Sequence, residues 1–76
     1  MVKTIELNSA KDVKKLNDFA CSCPFAVYVD DQSIILDARS LLGLMSLIGK
    51  KNTHVVFPDH ADPKAVVKML EQHNLD

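Results

Sequence analysis

The stretch Phe25-Ala26-Val27-Tyr28-Val29-Asp30-Asp31-Gln32-Ser33-Ile34-Ile35-Leu36 decides the architecture. Its first five residues are β-prone, and Phe25, Val27 and Val29 alternate onto one side, the period of a half-buried strand. Asp30 to Ser33 are polar turn formers. Ile34-Ile35-Leu36 then returns as a second strand, so residues 25–36 are expected to form a hairpin.

Immediately upstream, Pro24 cannot continue a helix and pushes Cys23 toward an extended conformation. The segment it ends has Ala10, Val13, Leu16, Phe19 and Ala20 at helical spacing, with Lys11, Lys14, Lys15 and Asp18 on the other face. Ser9 is a good N-cap for this helix, expected over 10–21, and Asp12 three residues on is an acidic relative of the capping box. Before it, residues 2–7 carry Val2, Ile5 and Leu7 with β-prone Thr4 and read as the first strand.

Downstream of the hairpin, Ser40 is a second N-cap candidate. It precedes Leu41-Leu42-Gly43-Leu44-Met45-Ser46-Leu47-Ile48, a short helix ended by Gly49. Residues 53–57 form the next strand, and Asp62-Pro63 is a strong helix start for a third helix reaching about His73. The order is β-α-β-β-α-β-α, with no repeat, low-complexity segment or internal linker. One four-stranded sheet with three helices on a single face uses every apolar face, an α+β class.

At 76 residues the chain is long enough for one domain, 1–76, and one core. Its 9 basic and 10 acidic side chains leave a formal charge of −1, which argues against a nucleic-acid binder and against an electrostatic membrane anchor. No apolar run reaches the roughly 20 residues of a membrane span. The first residues, Met1 to Glu6, lack a signal-peptide apolar region, so the expected location is the cytoplasm.

Few residues have the spacing that catalysis or metal binding requires. Cys21 and Cys23 are too close to staple the fold and are not spaced as a zinc or thioredoxin-like pair; they are expected to be small buried thiols at a helix–strand junction. His54 and His60 could meet across one end of the sheet, but no carboxylate or thiol stands at ligand spacing, so no metal or other cofactor is expected. His73 suits the C-terminal dipole of the third helix. Asp30-Asp31 reads as a solvated turn rather than an acid/base pair. With only Gly43 and Gly49, no phosphate-cradling loop can form. A non-enzymatic role is expected. The most unusual segment runs from Ser40 to Ile48: its apolar residues go almost all round the helix. Either strands cover both sides of it, or part of it is exposed and marks a partner surface.

Asp37-Ala38-Arg39-Ser40-Leu41-Leu42-Gly43-Leu44-Met45-Ser46-Leu47 resembles the regulatory-serine segment of the histidine-containing phosphocarrier protein of the sugar phosphotransferase system, HPr. In Gram-positive members that segment reads approximately Lys-Ser-Ile-Met-Gly-Val-Met-Ser-Leu. The element order is also the HPr order. The resemblance implies an open-faced sandwich with a four-stranded antiparallel sheet and three helices on one face.

The family's other hallmark, Gly-x-His-Ala-Arg-Pro between the first strand and first helix, is replaced here by Leu7-Asn8-Ser9-Ala10-Lys11-Asp12. Ser9 falls about where the phosphoryl-accepting His would stand, and Ser9 cannot replace an imidazole. The chain is therefore similar to the catabolite-repression branch of HPr, which lacks the His and keeps the serine. That similarity implies a regulatory or adaptor protein without phosphocarrier activity. Ser40 would be modified by an HPr kinase/phosphorylase, and Arg39, Leu42, Gly43 and Met45 would contact a protein partner such as a transcriptional regulator. The alternative expectation is a degenerate HPr-like binding domain with another protein partner, in which Ser40 is only a helix cap.

Overall fold

In a computed structural model, which describes residues 1–75, the elements follow the expected order. They are β1 (Val2–Ile5), α1 (Ala10–Ser22), β2 (Tyr28–Asp30), β3 (Ile35–Asp37), α2 (Leu41–Met45), β4 (Thr53–Val56) and α3 (Pro63–Gln72). The strands form one sheet in the order β1-β4-β2-β3, with every neighbouring pair antiparallel.

The register assigns side chains to two faces. Val2, Val56, Tyr28 and Asp37 form one row across the sheet, and Thr4, His54, Asp30 and Ile35 form the next. These rows lie on the open face. Val55 and Val29 alternate to the other face, where they are fully buried beneath Val13, Leu16 and Phe19 of α1, Leu44 of α2, and Val66 and Leu70 of α3. Phe19 is the centre of this core. Its ring meets Phe57 edge-on at 6.0 Å and His73 at 5.5 Å. His73 follows the last residue of α3, as its place near the helix terminus requires, and half-buries its ring there.

The helix starts are fixed by side chains that satisfy otherwise unpaired N–H groups. Ser9 Oγ accepts from Asp12 N–H at 3.3 Å, while Asp12 Oδ2 reaches back to accept from Asn8 N–H at 3.0 Å. Asp62 Oδ1 accepts from Lys64 N–H at 3.1 Å, with Pro63 in the first turn. Strand limits differ from the sequence expectation. β1 stops at Ile5 because Leu7 turns into the core and its carbonyl accepts from Gly49 N–H at 2.8 Å. Gly49 makes that turn at φ +81°, a conformation costly for residues with a Cβ. The hairpin ladder lies later than expected: Phe25 and Val27 precede β2, and β3 extends to Asp37.

Thr53 is 0% exposed at one end of β4, and its Oγ1 has no hydrogen-bond partner among the described residues. No helix of the described residues is long and apolar enough to cross a membrane.

Candidate functional site

The segment joining β3 to α2 holds Asp37, Arg39 and Ser40 in a tight turn, closed by Ser40 N–H donating to Asp37 O at 2.9 Å. Asp37 Oδ1 accepts from Arg39 N–H at 2.9 Å and from Arg39 Nε–H at 3.1 Å, and Asp37 Oδ2 accepts from Nη2–H at 2.7 Å. This paired, charge-assisted arrangement fixes the planar guanidinium in one orientation. The Arg39 side chain, and then its backbone N–H, hold the Asp37 carboxyl down at about 2. Across the turn, Asn17 of α1 donates through Nδ2 to Ala38 O at 3.2 Å and to Arg39 O at 3.0 Å. Asn17 stands four residues after Val13 and three before Ala20, in register with the buried stripe of α1. A polar residue at that spacing was the available signal for this tether, and sequence reasoning missed it.

Ser40 caps α2 with extended backbone (φ −85°, ψ 101°), and its Oγ accepts from Gly43 N–H at 3.2 Å. A side chain at Gly43 would crowd this contact. A Cβ there would lie 3.0 Å from Ser40 Oγ and 3.3 Å from Leu36 Cδ1. Leu44 is fully buried and anchors the helix. Of the two alternatives the apolar pattern left open, part of the segment is exposed. Leu47 turns inward after the helix ends, through shorter-range bonds such as Leu47 N–H to Leu44 O at 3.0 Å. Leu41, Leu42 and Met45 stay outside, and Leu42 is 86% exposed. Arg39, Ser40, Leu42, Gly43 and Met45 thus share one short segment, whereas Ser9 belongs to the cap of α1.

Three sequence expectations are corrected. Cys21 is exposed, because one residue beyond Ala20 the helical rotation carries its side chain off the buried face, and Cys23, on extended backbone just after α1, is half-buried against the core. Burial raises the Cys23 thiol above its ordinary value. His54 does not turn toward His60: its Nδ1 lies 3.4 Å from Asp30 Oδ1 on the open face, while His60 packs edge-on to Phe25 at 6.3 Å. Asp31 is not solvated. Its side chain is 4% exposed, with Oδ1 accepting from Ser33 N–H, Ser33 Oγ–H and Ile34 N–H, and Lys50 Nζ 4.0 Å from Oδ2.

No protein-family model matches the sequence, and no curated protein matches it. Among solved structures, HPr-C-His from Thermoanaerobacter tengcongensis is similar with a TM-score of 0.68 at 18% sequence identity, over 95% of this chain and 85% of that one. The fold is HPr-like: an α+β open sheet of four antiparallel strands with three helices.

Proposed function

We propose that this chain is a non-enzymatic regulatory or adaptor protein related to the phosphotransferase system. In this reading Ser40 is phosphorylated by an HPr kinase/phosphorylase, and the modified segment docks on a protein partner such as a transcriptional regulator. The observation that carries the reading is the placement of an exposed Ser40 directly before Leu41, Leu42 and Met45, apolar side chains left bare on the same helix. A phosphate there adds about −1.5 to −2 charges at pH 7 beside an apolar surface, altering what the surface binds more than how the chain folds. Phosphocarrier chemistry is excluded from the proposal because Ser9, at the position of the family's His, is a capping hydroxyl.

A second reading rests on the hydrogen bond from Gly43 N–H to Ser40 Oγ. It makes Ser40 a structural cap, worth about 1 kcal/mol, on an HPr-like binding domain with another partner. Kinase/phosphorylase and ATP separate the two. The regulatory reading expects phosphate on the wild type and none on Ser40→Ala. Absence of phosphate on the wild type, while an ordinary HPr control is modified, leaves the capping role alone.

A further inference from the structure

We propose that β3 is a self-association edge, pairing antiparallel with β3 of a second copy about a two-fold axis at Ile35. The phase of the hairpin ladder carries this. Ala38 N–H donates to Val27 O at 2.9 Å, and Asp31 N–H to Ile34 O at 3.3 Å. Bonded and non-bonded pairs alternate along an antiparallel ladder, so Tyr28–Asp37 and Asp30–Ile35 are the non-bonded pairs. The N–H and C=O of Ile35 and the N–H of Asp37 therefore point away from β2, toward the free edge. Asp37 O is already taken by Ser40 N–H, and Ser33 N–H by Asp31 Oδ1 at 3.1 Å.

Only one register satisfies what remains. With the axis at Ile35, the two Ile35 residues exchange both backbone bonds, and each Asp37 N–H meets the Ser33 carbonyl of the other copy. The groups that would otherwise face each other unsatisfied, Asp37 O and Ser33 N–H, are the two bonded internally. Side chains agree: Ile35 faces Ile35, Ile34 faces Leu36, and Ser33 faces Asp37 of the other copy. An axis at Leu36 would pair Ile35 with Asp37 and bring the Ile35 N–H to Asp37 O, which Ser40 N–H already occupies. An axis at Asp37 would oppose two carboxylates.

The edge is also weakly defended. Natural edge strands carry charges, proline or bulges that block such pairing; from Ser33 to Leu36 there is no charge or proline, and Asp37 at the end of the strip is paired with Arg39. Ile35 is 73% exposed and lines an open concavity with Asp30, Gln32, Ser33 and Ile34. Pairing places both α2 helices, with their bare Leu41, Leu42 and Met45, on the same side of the extended sheet. The strip is short, so the association is weak and concentration-dependent.

Sedimentation from micromolar to millimolar chain tests it. The wild type gains average mass with concentration toward a dimer. Ile35→Lys and Ile35→Glu each stay monomeric, since each places like charges at the axis. Their equimolar mixture associates again, because Lys then faces Glu. Circular dichroism reports both variants folded, as expected at so exposed a position. A wild type that is monomeric throughout overturns the proposal. So does an Ile35→Lys variant that still dimerises, or a mixture of the charged variants that does not associate.

Discussion

Asp37 and Arg39 set the electrostatics of the β3–α2 turn, and their pairing has a pH signature. The folded Asp37 carboxyl titrates near 2 against an ordinary value of 3.8. A carboxyl lowered in the folded state contributes stability above its ordinary value and loses it as pH falls through the folded one. Thermal midpoints of the wild type should therefore drop between pH 3.8 and about 2, and the Asp37→Asn variant should show a shallower drop over that window. An unchanged slope in the variant removes the pair from the account. Thr53 makes the opposite kind of prediction. Its buried hydroxyl, without a partner among the described residues, carries a desolvation cost, so Thr53→Val should stabilise the fold by about 1 kcal/mol. In a domain of this size that raises the melting temperature by roughly 4–8 °C, which calorimetry resolves. A lower melting temperature would mean that the hydroxyl has a partner in solution.

Helix starts were legible as sequence because capping is local: Ser9, Ser40 and Asp62 each accept a hydrogen bond from an N–H two or three residues on. Strand limits were not legible, since they depend on partners distant in sequence. Nothing near Phe25 says that the ladder starts at Tyr28, because that start is set by its pairing with Asp37 and Val56. Within the candidate site, Ser40 and the bare Leu42 were legible, whereas the Asn17 tether was not, because it crosses from α1 to the β3–α2 turn. Two predictions belong to these elements. Ser9→Ala should cost about 1 kcal/mol by removing the α1 cap, measured by denaturant unfolding. Gly43→Ala should lack the stabilisation that alanine usually gives within a helix, because its Cβ crowds Ser40 Oγ. In a double-mutant cycle it should be better tolerated once Ser40 is alanine. Additive effects would show that the Gly43–Ser40 contact is not tight.

For the whole molecule, the sheet order β1-β4-β2-β3 leaves one face open and places α2 at the β3 side, where Leu36 lies beneath Gly43. That geometry brings the Ser40 segment to the surface and leaves Ser9 in the cap of α1. The proposed function pairs phosphorylation of Ser40 with the absence of histidine carrier chemistry, and one measurement addresses both. The chain is exposed to phosphoenolpyruvate with enzyme I, and separately to ATP with HPr kinase/phosphorylase, and every phosphate is located by mass spectrometry of its peptides. The account predicts no phosphate from the first reaction and a single acid-stable phosphate on Ser40 from the second. An acid-labile phosphate on His54, His60 or His73, or an unmodified Ser40 beside a modified HPr control, would contradict it.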